Sequence, residues 1–372
     1  MADLVLTLNA GSSSLKAALF DIKDETPTAL ARTSIHCRDG QVAAVADVMT
    51  WVDAAAGSRT LTAAGHRVVH GGPTFHDPQL LTPEIISALE ALIPLAPLHQ
   101  PECLAIVRAL GAARPDLPQA ACFDTAFHWS QPPVAQRLGL PRHFGDQGVR
   151  RYGFHGLSYE HIAGRLAELE PALARGRVLA AHLGSGASLC AMQAGRSVET
   201  TMGFSPLDGL LMSTRCGQLD PGAILYLMQH QGLTGPQLED LLYRRSGLLG
   251  VSGLSGDMKT LLASHETGAA EAVELFVYRA ALQAGALATA MGGLDGIVFT
   301  GGIGEHSPEI RARICRRLRL FGLELDEAAN NLAGDGRIAT AASRVQAWVI
   351  PADEESAIAG HVRQLIRGPQ GA

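Results

Sequence analysis

The chain opens on an apolar run, Leu4 to Leu8, breaks at Asn9-Ala10-Gly11-Ser12-Ser13-Ser14, and resumes as a second apolar run through Phe20 that carries Lys16 near its start. Short apolar runs bounded by small residues are the pattern of buried strands joined in a hairpin. The pattern returns at Val178 to Gly195, VLAAHLGSGASLCAMQAG, again as strand, Gly/Ser turn, strand. The two copies lie close to half of the 372-residue chain apart, which predicts an internal duplication: one hairpin opens each half, and two similar lobes face each other across a cleft. Between the hairpins the periodicity turns helical. Thr82 as N-cap and Pro83 at the first helical position predict a helix over Pro83 to Ile93, and another is expected over His99 to Leu110. A longer helix is expected over Ala270 to Met291, ending at Gly292-Gly293 and leading into a strand from Gly296 to Phe299. A final helix over Glu355 to Ile366 is placed to close the chain back onto the first lobe. Alternating strands and helices predict an α/β architecture.

With 47% hydrophobic residues the chain can bury a large core, which excludes a disordered or fibrous protein. Thirty basic against 36 acidic residues leave a net charge of −6, spread without long single-sign runs, so neither nucleic acid nor an anionic membrane is expected as a partner. Six cysteines (Cys37, Cys103, Cys122, Cys190, Cys216 and Cys315) form no CxxC pair and read as reduced thiols in a cytoplasmic protein. The apolar start carries Asp3 and no basic region, which reads as a first strand and not a signal peptide. Glycines, serines and His182 interrupt the Val178 to Gly195 stretch, so no membrane span is expected there.

The turn at Asn9, Ser12 and Ser14, followed by Lys16, offers backbone N–H groups, hydroxyls and an ammonium, all suited to a phosphate chain. One such turn is more often only a tight hairpin. The second copy, His182-Leu183-Gly184-Ser185-Gly186-Ala187-Ser188, shifts the balance toward phosphate binding. A third cluster, Gly301-Gly302-Ile303-Gly304, follows the strand ending at Phe299 and precedes a helix near Pro308, where backbone without Cβ lets a base or ribose approach. It does not match GxGxxG, and the chain has no GK dipeptide, so neither a dinucleotide fingerprint nor a Walker loop is present. Arg67 and Arg215 sit among glycines and small residues, where a planar cation can clamp a carboxylate or phosphoryl group. No clustered Cys/His spacing supports a zinc site. Asp124 and Glu354 stand at the ends of apolar strands, as metal carboxylates or as helix caps.

Together, TLNAGSSSLK, HRVVHGG, FDTAFH, RRYGFHGLS, HLGSGASLCA, TTMGFSPLDGLLMSTRCGQLDPG, FTGGIGEHSPEIR and PADEES resemble the acetate and propionate kinase type of the acetokinase family in order and spacing, over essentially the whole chain. The resemblance implies a duplicated two-lobed α/β fold shared with actin and sugar kinases, with residues 1–128 plus 356–372 as the N-terminal lobe and 129–355 as the nucleotide-binding lobe. It implies that Arg67 and Arg215 hold the acyl carboxylate and the migrating phosphoryl group, that His155 and His182 donate to its oxygens, and that Asp124 belongs to the catalytic set. Asn9, Glu354 and Asp124 would serve Mg²⁺, with Mn²⁺ as a substitute; Ser12, Ser14 and Lys16 would line the phosphate side. His182, Gly184, Ser185, Gly186, Asp257, Met258, Lys259, Gly301, Gly302, Ile303 and Gly304 would bind ATP or ADP; Val69, Leu98, Phe154 and Pro206 would form a small acyl pocket. The partners implied are acetate, acetyl phosphate, ATP and ADP, and a second copy of the chain in a homodimer. Ser185 and His306 stand where many members have Asn, and Lys259 where Arg is frequent, all on the nucleotide side.

The expected reaction is reversible transfer of the ATP γ-phosphoryl group to acetate. A carboxylate is already ionised at neutral pH, so no general base is needed, and the task becomes alignment and charge neutralisation. The expected product, an acyl phosphate, is destroyed by water, which favours a cleft that closes, with a hinge near residues 124–130 and again near Glu354. Propionate phosphorylation is the nearest alternative. A sugar kinase would need an aspartate base and no pair of clamping arginines, and an actin-like assembly ATPase would need no acyl-sized pocket.

Overall fold

A computed structural model describes residues 3–11, 14–37, 40–332 and 334–368. It divides into two compact units: residues 1–129 with 156–161 and 353–372, and residues 130–155 with 162–352.

In the first unit, β1 (Asp3–Ala10) and β2 (Ser14–Asp21) form the opening hairpin, with Asn9 opposite Lys16. β3 (Thr28–His36) extends it on one side. On the other, β4 (Thr60–Val68) runs parallel to β1 and β6 (Gln119–Phe123) parallel to β4, with the two-residue β5 (Gln79–Leu80) antiparallel at the edge. The order is β3-β2-β1-β4-β6-β5. One face buries Leu6, Leu8, Leu15 and Leu19 against Val45, Val48 and Val52 of helix Gln41–Ala56 and Ile106 and Leu110 of helix Gln100–Ala113. The other buries Val5, Phe20 and Ala63 under Ile358, Ala359 and Val362 of helix Glu354–Arg367. That helix lies so close to β4 that a Cβ on Gly65 would stand 2.5 Å from the Ile358 and Val362 methyls.

The second unit repeats the scheme. β7 (Arg177–Leu183) and β8 (Ala187–Gln193) form the hairpin, and β9 (Arg196–Thr200) extends it. β10 (Gly296–Thr300) runs parallel to β7 and β12 (Gln346–Val349) parallel to β10, with the two-residue β11 (Gly336–Arg337) antiparallel at the edge. Read from β9, the order β9-β8-β7-β10-β12-β11 matches the first sheet strand for strand, including direction. The duplication expected from the paired hairpins is therefore present as topology. Helix Thr267–Ala290 packs this sheet with an alanine-rich face (Ala269, Ala272, Ala280, Ala284, Ala288) filled out by Val273, Phe276 and Leu287.

Two expectations shift. The Pro83 helix ends at Glu90, because Pro94 has no N–H to donate to the Glu90 carbonyl; Ile93–Leu95 is a 3₁₀ turn. The third glycine cluster is itself helical, Gly301–His306, ahead of the helix at Pro308–Arg317. Its carbonyls at Gly304 and Glu305 accept from Nη1 of the fully buried Arg311 at 2.9 and 2.7 Å, and Glu305 accepts from Gly301 N at 2.8 Å, which stabilises a turn that glycine alone disfavours.

Candidate active site

In the first unit the carboxyl ends of the parallel strands β1, β4 and β6 deliver Asn9, Arg67 and Asp124 to one place, the edge at which open α/β sheets bind ligands. Arg67 Nε lies 3.0 Å from both Asp124 carboxylate oxygens, and Nη2 donates to the same group. Nη1 donates to Asn9 Oδ1 and Ala10 O, each at 3.3 Å. This leaves at most one Nη2 proton for a ligand. Burial opposes the Arg67 charge, and the carboxylates of Asp124 and Glu354 outweigh it, so the guanidinium pKa is raised.

Glu354 opens helix Glu354–Arg367; its Oε2 accepts from Asn9 Nδ2 at 2.7 Å and lies 3.8 Å from Arg67 Nε. The N-cap is Asp353, whose Oδ1 accepts from Ser356 N. Glu355, buried, accepts from the same Asn9 amide at 3.3 Å, and Arg32 binds Asp353 through both guanidinium nitrogens. Arg32 and Arg67 against Asp124, Asp353, Glu354 and Glu355 give 2 − 4 = −2 within this bonded network when all are ionised. Ser14 and the exposed Lys16 follow on β2, Val69 is buried just past β4, and Leu98 is half-buried before helix Gln100–Ala113. Ser12 lies outside the described residues.

In the second unit His155 and His182 stack, with ring centroids 4.3 Å apart. His155 holds a left-handed backbone, φ 61°, immediately before helix Gly156–Leu169, and its Nδ1 lies 2.8 Å from Ser188 Oγ. A Cβ built on Gly186 would stand 2.8 Å from Arg215 Nη2 and 3.3 Å from His155 Nε2, so glycine is what lets both side chains reach the turn after β7. Arg215 is fixed from behind by Nη1 donating to Pro206 O at 2.6 Å. The turn itself closes through Gly184 N to Gly186 O, and Ser213 ties it to the next segment by donating its N–H to Ser185 O and its hydroxyl to Gly256 O. Asp257 caps helix Met258–Ala263: its carboxylate accepts from Thr260, whose side-chain and backbone bonds lower the Asp257 pKa. Met258 is buried and Lys259 exposed. Gly301 has φ +76° and packs on Leu183, where a Cβ would meet Leu183 O at 2.9 Å; Gly302 N borders Gly184. Thus His155, His182, Gly184–Gly186, Arg215 and Gly301–Gly302 form one cluster. Phe154 and Pro206 are buried in this same unit.

The sequence reading placed Ser188 at the end of the second Gly/Ser turn without giving it a role of its own, and missed Arg32. Ser188 had a signal, since it pairs with His182 across the hairpin and so shares its sheet face. Among the described residues no three His, Cys, Asp or Glu side chains gather as a metal-holding group, and no helix is long and apolar enough to cross a membrane.

Two repeated α/β units, each gathering charged side chains and Gly/Ser turns at the carboxyl ends of its parallel strands, define a class of protein that binds its ligands at those strand ends. The acetokinase family model matches residues 28–360, and the chain belongs to that family. It is 51% identical over 397 residues to the acetate kinase of Rhodopseudomonas palustris CGA009, covering 99% of this chain and 100% of that one. The crystal structure of Porphyromonas gingivalis acetate kinase superposes with a TM-score of 0.87 at 32% identity, covering 98% and 100% of the two chains. A propionate kinase from Francisella tularensis gives 0.88 at 31% identity, covering 96% and 98%. The fold is the duplicated α/β fold of the acetate and propionate kinases, and the duplication is the one the paired hairpins implied.

Proposed function

We propose that this chain is an ATP-dependent acetate kinase, forming acetyl phosphate by direct, reversible phosphoryl transfer. The observation that carries the reading is the meeting of Arg215 Nη2 and His155 Nε2 over the Cβ-less Gly186, beside His182. Such a gathering of donors suits the equatorial oxygens of a phosphoryl group in a loose, in-line transition state. The acetate carboxylate needs no base, which agrees with an Asp124 whose oxygens are occupied in holding Arg67. Asp124 is then the residue that orients Arg67, and the remaining Arg67 proton is offered to the substrate.

The donor set also fits Mg²⁺. Hard oxygens at Glu354 and Asn9, in a bonded network of net charge −2, are what that cation takes when nucleotide phosphates and water complete its shell. Mg²⁺, when bound, neutralises phosphate charge. Glu354 and Asn9 would hold it, with Arg67 keeping Glu354 in place. Lys16 and Ser14 would face the phosphates, and the cluster at Gly184–Gly186, Asp257–Lys259 and Gly301–Gly304 would receive the adenosine.

We place the enzyme in the cytoplasm, apart from nucleic acid and membranes, as a homodimer. The second unit supports association: helix Pro221–Gln229 buries none of its residues, although Leu225 and Tyr226 are more than half exposed.

A coupled assay with ATP and acetate, propionate or butyrate tests the reading. Acetate should be preferred, propionate used less well and butyrate poorly, since one methylene in an apolar pocket is worth about 10- to 200-fold. Val69→Ala should move the kcat/KM ratio toward propionate. An unchanged ratio removes Val69 from the acyl pocket, and no turnover with any of the three acids removes the function.

A further inference from the structure

The ring of His155 is held at both edges. Its Nδ1 faces Ser188 Oγ at 2.8 Å, its Nε2 faces the turn at Gly186, its plane lies against His182, and its own backbone is left-handed. Ser188 is fully buried in β8 and sits directly across the hairpin from His182, so its hydroxyl approaches His155 from within the sheet face. A neutral imidazole donates from one nitrogen and accepts at the other, and the partner at one nitrogen decides which.

We infer that Ser188 is a positioning residue for phosphoryl transfer: its hydroxyl donates to His155 Nδ1 and so keeps the ring proton on Nε2, beside Arg215. The inference rests on the kinase reading, because two donors aimed at one spot are the arrangement an anion requires. With the proton on Nδ1, Nε2 would instead be an acceptor for Arg215, and guanidinium and ring would satisfy each other. The Ser188 hydroxyl can donate to Nδ1 or accept from it, and the need for an anion-facing donor at Nε2 selects the donating arrangement. No bond is made or broken in this role, and the proton stays on the imidazole throughout.

The first measurement needs no variant of Ser188. Long-range ¹H–¹⁵N spectra of the ¹⁵N-histidine-labelled full chain, with the His155 signals assigned by their loss in His155→Gln, should show Nδ1 unprotonated and Nε2 protonated at neutral pH. A proton on Nδ1, or on both nitrogens, overturns the inference, whether or not the chain phosphorylates acetate. If instead acetate and ATP give no turnover, the kinase reading fails while the spectrum still reports the tautomer. The second measurement is kinetic. Ser188→Ala should mix the two tautomers and lower kcat about ten- to a hundredfold, with KM values for ATP and acetate within about twofold. Ser188→Thr, which keeps the hydroxyl, should recover most of that loss. In a His155→Ala background Ser188→Ala should cost nothing further, since its effect passes through that ring. An unchanged kcat in Ser188→Ala, or an equal loss with and without His155, overturns it; should Ser188→Ala fail to fold, the wild-type spectrum decides alone.

Discussion

Arg67→Ala removes a guanidinium from beside a carboxylate whose side chain is only 1% exposed. Leaving Asp124 buried and unpaired should cost about 3–5 kcal/mol of stability, and losing the clamp should cost at least about a hundredfold in turnover. The two effects separate in Arg67→Ala/Asp124→Ala, where the melting temperature should recover in part and turnover should not. Arg67→Lys should keep the charge and still rescue poorly, because a point charge cannot replace the fork that spans Asp124 and Asn9. Near-normal turnover of Arg67→Ala would refute the assignment. Glu354 answers to a different readout. Glu354→Ala should raise the Mg²⁺ concentration needed for half-maximal rate, while Asp353 still caps the helix. A Mg²⁺ titration that overlays the wild type transfers the metal role to Glu355, the other carboxylate on the Asn9 amide.

At the scale of elements, β4 carries a pH dependence unrelated to catalysis. His66 is buried in that strand, 2.7 Å from the Gln119 side chain on β6, and burial holds its pKa down at about 4. Below the unfolded value of about 6.5 the unfolded chain takes a proton that the folded chain refuses until about pH 4. Stability should therefore fall with pH across that window, by up to about 1.4 kcal/mol per unit. His66→Gln should flatten the melting temperature between pH 6.5 and 4.5; an unaltered slope places the acid sensitivity elsewhere. Both hairpins were legible in the sequence because apolar runs and Gly/Ser turns are local signals. β5 and β11 were not, since two residues carry no periodicity. The residues of the candidate site were legible through motifs, yet their bonding was not: Arg67 and Asp124 lie 57 positions apart, and only the parallel register of β4 with β6 makes them neighbours. Likewise Ser188 gains meaning only when β8 folds back on β7.

For the molecule as a whole, the exposed face of helix Pro221–Gln229 sets an expectation about assembly. Leu225→Glu with Tyr226→Glu places charge on positions that are 53% and 55% exposed, where substitution costs the folded chain little. If this face is the dimer surface, sedimentation should show monomers with an unchanged melting curve at low concentration. A dimer that survives the double substitution assigns the contact to another face.

The helix that covers the first sheet comes from the far end of the polypeptide: Glu354 meets Asn9 across 345 positions. A ribosome adding about 5–20 residues per second reaches that helix on the order of tens of seconds after finishing β1. Through that interval the nascent first sheet lacks its lid, and Val5, Phe20 and Ala63 have no Ile358, Ala359 or Val362 to meet. One face of the first sheet is thus completed only after the last strand of the second sheet, Gln346–Val349, has been made, so the half that is synthesised first cannot finish folding before the half that follows it.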